Sequence, residues 1–516
     1  MKVEKIPAQL ALLVLKNSAM SSYLDNLSVG RKATPHSWLY ENEDEFTTLE
    51  RWIPIMEKAN LRNSPYGEEF IQFDRKQLSK FGPQGEVPPI ESPEAQEVIE
   101  PLFTPSKYDD ENALSQYFPQ TKEFATVLFG KRLKTKRPLS IESVTDDMNA
   151  RDTLTTNSGF PRFARRKTVK EEEINDAKSG KAFDYPAIIL FRQYYGKLRP
   201  VWMYPMSMNL IELRYEIVLQ QSLRKSPTAW VSEYVTPWTG YDEVKVVLTQ
   251  QWHGEQVDGG DTTKMDAHMR RAQMRLFYEI VKWQFQESSW EELYHAIMRC
   301  CEIPLLVSKS TWIPGPHGLA SGAGFTQMSE TVLQLFMAWC NATYGQGIGD
   351  DFYWLTGLDA DELVAALEKF GLPANPTKQG ISDTSLTFLQ RMNRQGFFSR
   401  DNPAVLGAYY PTIRALGSSL RPEKFHRPKD WSKDMFAIRQ FMIAENCVDD
   451  PCFVEFLTFL LNGHAYLREF AKKSARDLNR IQKQARLIPG LNPSYNQEKR
   501  AKPLSEFTII KLARTL

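Results

Sequence analysis

From Gly347 to Leu355 the chain reads Gly-Ile-Gly-Asp-Asp-Phe-Tyr-Trp-Leu, and no other stretch constrains the fold as strongly. Aspartate is a poor strand former, yet two of them sit between Ile348 and the apolar run Phe352 to Leu355. Gly and Asp are turn residues, so an ordinary surface turn is one reading. The large apolar residues on both sides favour another: a strand–turn–strand hairpin with Asp350 and Asp351 at its tip. Two like charges about 4 Å apart cost on the order of 4 kcal/mol near a protein surface. A hard divalent cation reverses the sign of that term, and Mg²⁺ is held by one or two carboxylates plus substrate phosphates. Gly345, Gly347 and Gly349 do not make a nucleotide-binding loop, because no strand and helix frame them and the carboxylates repel a diphosphate.

Such a pair asks for a carboxylate from elsewhere. Gly259-Gly-Asp-Thr-Thr-Lys-Met-Asp266 places Asp261 at the end of an expected strand and Asp266 at the start of a helix, where an aspartate also serves as a plain N-cap. Between the two sites lies Pro314-Gly-Pro-His-Gly-Leu-Ala-Ser-Gly-Ala-Gly-Phe-Thr326. This glycine-rich loop opens onto a helix over 326–341 that is apolar nearly all round and therefore buried. Its small residues and the hydroxyls of Ser321 and Thr326 allow close approach of a nucleic-acid backbone or a ribose. A flexible linker capped by Thr326 is the plainer reading.

With 516 residues the chain exceeds one hydrophobic core and divides into about two to four domains or subdomains. Net charge is only +1. Basic clusters at 131–137, 162–167 and 468–486 nevertheless stand apart from acidic ones at 41–50 and 287–292, the pattern of a basic groove with an acidic outside or of solvated surface charge. The five cysteines lie at no zinc-ligand spacing, which predicts a reducing compartment and no zinc site. Residues 7–15 predict a buried helix or strand in preference to a signal peptide, and no apolar run reaches the roughly 18 residues of a membrane span. Residues 83–106, rich in Pro and Glu, read as a loop. Ile188–Phe191 and Val201–Tyr204 read as strands around a turn at Gly196. Residues 207–224, 266–286 and 359–370 read as helices, and 430–516 as mostly helical.

Taken in order, Asp261-x4-Asp266, Ser321-Gly322-x3-Thr326 and Gly349-Asp350-Asp351 resemble motifs A, B and C of viral RNA-dependent RNA polymerases. Around them, Thr156-Asn-Ser-Gly-Phe-Pro161 resembles motif G. Arg192 with Gly196-Lys197-Leu-Arg199-Pro200 resembles the basic motif F hairpin. Gly371 to Lys378 resembles motif D, and Thr387-Phe-Leu-Gln-Arg391 motif E. Residues 196–206, 259–269 and 321–328 are similar in wording to picobirnavirus polymerases, then to those of partitiviruses, both groups of small double-stranded RNA viruses.

The resemblance implies an α+β right-hand fold of fingers, palm and thumb, with an RRM-like antiparallel palm sheet flanked by helices and an encircled active site. The implied divisions are an N-terminal extension bridging fingers and thumb (1–60), fingers (61–250), palm (251–400, with a fingers insertion near 285–312), and thumb with a C-terminal tail (401–516). It implies replication and transcription of a double-stranded RNA genome by nucleotidyl transfer from NTPs to an RNA 3′-hydroxyl. Partners would be RNA template and product, NTPs and a viral capsid protein, with no membrane, inside the virion and in the host cytoplasm. Asp261 and Asp350 would ligate two Mg²⁺ (or Mn²⁺) ions, with Asp351 in support. Arg192, Lys197 and Arg199 would grip the triphosphate, Asp266 would read the ribose 2′-hydroxyl, and Ser321 and Thr326 would help place the nucleotide. Lys378 would be the general acid for pyrophosphate. RNA contacts would fall on Asn157, Ser158, Gly159, Gly322 and Arg391.

One position departs from the family pattern. Four residues after the motif B threonine these polymerases often carry Asn, which partners the motif A aspartate in sugar selection; here Glu330 stands there. Either Asp266 or Glu330 is then protonated, or Glu330 turns away. A reverse transcriptase-like polymerase and a non-catalytic RNA-binding protein of a capsid interior share parts of the same pattern. The last segment, 487–516, is expected to fold back over the palm, where it would gate product exit or support initiation, or else to be a plain surface tail.

Overall fold

Three sheets organise the chain, and the computed structural model describes residues 2–491 and 502–516 of it. The first sheet runs β1 (Glu4–Lys5), β6 (Thr311–Ile313), β5 (Leu305–Leu306), β2 (Ala187–Tyr194), β3 (Lys197–Met203) in spatial order. The second runs β7 (Gly345–Ile348), β8 (Asp351–Trp354), β4 (Val257–Gly260), β9 (Gly380–Ser382), antiparallel throughout. The third is β10 (Ser385–Phe388), β11 (Arg391–Phe398), β12 (Leu406–Tyr409).

The second sheet carries the aspartates, and side-chain alternation explains how it is buried on both faces. Phe352 and Trp354 point into the large core under the helix Thr326–Cys340, while Tyr353 points into a second cluster with Val244, Leu248, Leu386 and Phe388. That helix is buried from Met328 to Ala338, its polar residues Glu330, Thr331 and Gln334 included. Residues 290–313 leave this sheet for the first one, where β5 pairs parallel with β2 and antiparallel with β6.

β2 and β3 form a longer hairpin than the apolar runs predict. Its two-residue turn, Tyr195–Gly196, has φ of 50° and 70°, the positive values that match the twist of the flanking strands. The N-terminal residues join distant parts of the molecule. β1 extends the first sheet, and the helix Glu45–Asn63 packs Leu49, Trp52, Met56 and Ala59 against the helices after residue 412. Trp52 Nε1 donates to Thr412 Oγ1 at 2.9 Å, and Tyr40 Oη donates to the Phe459 carbonyl at 2.7 Å.

Three expectations need correction. Within 83–106, Pro93–Phe103 is a helix: Ser92 caps it, Pro93 sits where its missing N–H costs nothing, and Ala95, Ile99, Leu102 and Phe103 supply a buried face. Residues 8–16 are helical but bury only Val14, leaving Leu12 and Leu15 more than half exposed. The described end of the C-terminal segment, residues 502–516, packs into the C-terminal helical core and is not a plain surface tail. Leu504, Phe507, Ile509 and Ile510 are buried in the C-terminal helical core, and the backbone N–H groups of Thr508 and Ile509 donate to Glu445. Pro493, in the same predicted tail, falls outside the described residues.

Candidate active site

The register of β8 separates the two aspartates. Ile348 pairs with Asp351, so Gly349 and Asp350 form the turn and Asp351 is the first residue of β8. Gly349 takes φ of +61° there, which favours glycine. The buried helix pins this turn from below: Thr331 Oγ1 accepts from the Gly349 N–H at 3.0 Å, and Gln334 Nε2 donates to its carbonyl. β4 lies beside β8, so Asp261, one residue beyond β4, reaches the same edge as the turn. A Cβ on Gly260 would stand 1.9 Å from Phe352 Cζ, so glycine is what lets the ring lie across β4 next to Asp261. Gln379 clamps the Asp261 backbone, accepting from its N–H at 3.0 Å and donating to its carbonyl at 2.9 Å.

Asp261 and Asp350 are exposed, while Asp351 is half-buried and accepts from the Leu389 N–H at 3.0 Å. Burial first, then the charges of Asp350 and Asp261, push the Asp351 carboxyl up to about 7. No cation is among the groups that act on it. Among the described residues no three His, Cys, Asp or Glu side chains form a ready-made metal cage. The donor set nonetheless fits a hard divalent ion that takes its remaining ligands from phosphate and water: carboxylate oxygens crowded on one edge with their repulsion unrelieved.

Behind this edge, Glu330 does not turn away. It is buried and hydrogen-bonded to Asp266, and a Cβ on Gly349 would lie 3.3 Å from its Oε2. Burial, then the Asp350 charge, raises Asp266 to about 6; burial, then Asp266 and Asp350, holds Glu330 well above the usual carboxylate range. Two hydrogen-bonded carboxyls share one proton, and Glu330 is the one that keeps it. Exposed Arg199 acts in the opposite direction on Asp266, favouring its ionised form.

The glycine-rich loop is welded to its surroundings. A Cβ on Gly322 would lie 1.8 Å from the Trp202 carbonyl oxygen of β3, and one on Gly318 would lie 2.3 Å from the Asp266 carbonyl oxygen. Buried Glu212, on the helix Met206–Arg224, accepts from the Gly324 N–H at 2.6 Å and from Asn209 Nδ2 at 3.2 Å. Burial pushes its carboxyl up to about 7. Ser321 Oγ is buried without a hydrogen-bond partner, an orphan that a ligand satisfies.

Several predicted site residues are committed elsewhere. Arg192 makes a bidentate pair with Glu423, at 2.6 and 2.9 Å, joining the hairpin to the segment after the helix Thr412–Leu420. Thr326 Oγ1 donates within its own loop, to the carbonyls of Ala320 and Ala323 at 2.9 and 3.1 Å. Ser158 is fully buried, and a Cβ on Gly159 would lie 2.7 Å from the Tyr204 carbonyl oxygen. Asn157 accepts from the Gly159 N–H at 2.7 Å and shapes that loop. Gly322 turns its Cα to β3 in the same way. Arg391 is buried, donates to Asn446 Oδ1 at 2.7 Å and stacks 4.2 Å from the centre of the Tyr241 ring. Lys197, Arg199 and Lys378 are exposed, with Lys378 adjacent to the clamp residue Gln379. Of the basic clusters, Arg162 pairs with Glu173 and Asp176.

Glu212, Thr331, Gln334 and Gln379 escaped the sequence reading. Glu212 and Gln334 did carry a signal, each a polar residue inside an apolar helical run, because a buried polar side chain needs a partner. Gln379 and Thr331 carried none.

No protein-family model matches the chain. Among curated proteins it is 28% identical over 342 residues to a potential RNA-dependent RNA polymerase of a human picobirnavirus (strain Human/Thailand/Hy005102/-), a match covering 60% of this chain. The chain spans 62% of the length of that relative. Among solved structures, the crystal structure of the RNA-dependent RNA polymerase of a human picobirnavirus superposes with a TM-score of 0.80 at 19% identity, over 99% of this chain and 100% of that one. An insertion-loop deletion mutant of a human picobirnavirus polymerase gives a TM-score of 0.78 at 19% identity, with the same coverage. The fold of this chain is that of a picobirnavirus RNA-dependent RNA polymerase.

Proposed function

We propose that the chain is a template-directed RNA polymerase that extends an RNA 3′-hydroxyl with ribonucleotides. The observation that carries this reading is the shared edge of β4 and the β7–β8 turn, where Asp261, Asp350 and Asp351 crowd without a counter-charge. Asp261 and Asp350 would hold Mg²⁺, or Mn²⁺ in its place, with Asp351 kept in position by Leu389. When bound, the ions supply activation of the attacking hydroxyl and neutralisation of the leaving phosphate. The chain's own contribution is placement and charge. Arg199, and Lys197 at the hairpin turn, present fixed cations to the triphosphate. Asp266, kept an acceptor by the proton on Glu330, receives the 2′-hydroxyl of the incoming ribose. Ser321 would offer its unpartnered hydroxyl to the nucleotide. Lys378 would protonate pyrophosphate. In this reading the protein copies a double-stranded RNA viral genome inside the particle formed by its capsid protein and in the host cytoplasm.

The test is primer extension by the purified chain on an RNA template with Mg²⁺. Ribonucleotides are expected to be incorporated and deoxynucleotides rejected; a preference for deoxynucleotides contradicts the reading.

A further inference from the structure

Ser321 carries the unpartnered hydroxyl of the glycine-rich loop, and its place depends on how the next three residues are held. The restraint comes from one face of the helix Met206–Arg224. Asn209 and Glu212 are three residues apart, so they are neighbours on that face, and both are buried. Glu212 accepts from the Gly324 N–H at 2.6 Å, and Asn209 Nδ2 donates to the Gly322 carbonyl at 3.3 Å. A Cβ on Gly324 would lie 3.0 Å from both Cβ and Oε2 of Glu212, so the loop rests directly on this face.

Asn209 also connects the loop to a third segment. Its Oδ1 accepts from Arg166 Nη2 at 3.0 Å, and its Nδ2 donates to Glu212 Oε2 at 3.2 Å. Arg166 is half-buried and closes a separate loop over residues 156–166. Its Nε donates to the Asn157 carbonyl at 3.2 Å, and its backbone N–H to the Thr156 carbonyl at 2.9 Å. A guanidinium can only donate, and the Gly322 carbonyl can only accept. The amide between them therefore has one orientation, with oxygen to Arg166 and nitrogen to Gly322 and Glu212. Aspartate has the same shape but no donor, and it would set a second carboxylate against Glu212. A buried acceptor that loses its donor is unfavourable, so the loop would have to shift.

We propose that Asn209 is a positioning residue for the incoming nucleotide: oriented by Arg166 on one side, it fixes Gly322 and Glu212 on the other, and through them the place of Ser321. The hydrogen-bonded chain stands on its own geometry; its effect on a nucleotide rests on the polymerase reading above. The chain reaches further than direct contact does. Among the described residues Arg166 makes no hydrogen bond to 318–326, yet its removal frees the Asn209 amide to rotate and loosens that loop.

The test follows the loop in the full chain by amide hydrogen exchange, read by mass spectrometry on peptides covering 318–326, which requires no activity. Asn209→Asp conserves volume and removes the donor. It is expected to speed exchange there by about tenfold, the value of one hydrogen bond to a charged group. Arg166→Ala is expected to speed exchange in the same peptides. In primer extension Asn209→Asp is expected to raise the nucleotide KM by about tenfold with a smaller change in kcat. Partial unfolding would instead reduce the active fraction, lowering apparent kcat and leaving KM alone. Adding Glu212→Gln to Asn209→Asp supplies an amide that donates to the new carboxylate and still accepts from the Gly324 N–H. The double variant is expected to recover part of the protection and of the KM, and no recovery overturns the assigned orientation of the amide. Wild-type exchange in a folded Asn209→Asp protein overturns the tether. Faster exchange with an unchanged nucleotide KM overturns the positioning role. Should Asn209→Asp fail to fold, Arg166→Ala decides: wild-type exchange and KM in that variant overturn the link through the amide. Faster exchange in variants of a chain that incorporates no nucleotide leaves the tether standing and refutes only the polymerase reading.

Discussion

Replacing Gly322 by alanine tests how tightly the glycine-rich loop must approach the basic hairpin. Gly322 is not in a left-handed conformation, so the effect is one of space alone. Its Cβ would stand 1.8 Å from the Trp202 carbonyl oxygen and 2.9 Å from the carbonyl carbon, both backbone atoms of β3. Ordinary contact begins at 3.4 Å, so loop and hairpin must part by about 1.6 Å. The two sides of this contact carry Ser321 and Arg199, groups assigned to the same nucleotide. A displacement of about 1 Å costs on the order of 100-fold in rate, and overpacking costs about 1–3 kcal/mol of stability. Gly322→Ala should therefore lower single-nucleotide extension by about 100-fold while the protein still folds, as judged by circular dichroism and thermal melting. Gly380→Ala is the control: its nearest contact would be 3.8 Å, and it should stay near the wild-type rate. A Gly322→Ala enzyme with wild-type rate and melting point would refute the close packing of loop on hairpin and the role built on it.

Glu212→Gln keeps an acceptor for the Gly324 N–H but cannot ionise. Because burial raises the Glu212 carboxyl from 4.5 to about 7, its contribution to stability is full below about pH 4.5 and is lost as pH rises through about 7. The loss amounts to about 3 kcal/mol at about 1.4 kcal/mol per pH unit. Urea unfolding should show the variant gaining that much on the wild type between pH 5 and pH 8, and parallel curves would contradict a buried, ionising Glu212. Glu330→Gln retains a hydrogen bond to Asp266 and should keep ribose over deoxyribose selection, measured by competing nucleotides. Glu330→Ala should lower that selection about tenfold, the value of one lost hydrogen bond to a charged group; equal ratios in both variants would remove Glu330 from sugar recognition. Removing residues 502–516 exposes the core contacts of Leu504, Phe507, Ile509 and Ile510, each worth about 1.5–3 kcal/mol when fully buried. The truncated chain should aggregate or melt well below the wild type, and unchanged melting with altered initiation would instead support a gating tail.

What the sequence revealed was local chemistry. The hairpin at Gly349 was legible because turn residues between apolar runs leave few alternatives, and the buried helix because apolar residues cover most of 326–340, with Glu330, Thr331 and Gln334 on the face turned to the β7–β8 turn. The division of labour between Asp350 and Asp351 was not legible, since it depends on a register of one residue against Ile348. Gly260 and Gly322 looked like flexibility and are closeness, because Phe352 and the Trp202 carbonyl occupy the space of a side chain. Thr326, Ser158 and Arg391 have the right chemistry for ligands but are satisfied internally, and only the packed structure reveals those partners. Pro93 read as a breaker because its place at the first turn of a helix depends on the cap and the buried face around it. Glu330 was recognised as a conflict with Asp266, and the shared hydrogen bond resolves it.

The central claim is that the carboxylates of the β4 and β7–β8 edge carry out RNA synthesis. The direct measurement compares wild type with Asp350→Ala in Mg²⁺-dependent extension on an RNA template, with RNA binding followed in parallel. Loss of synthesis with RNA binding retained is the predicted result; an Asp350→Ala chain that still polymerises at the wild-type rate contradicts it.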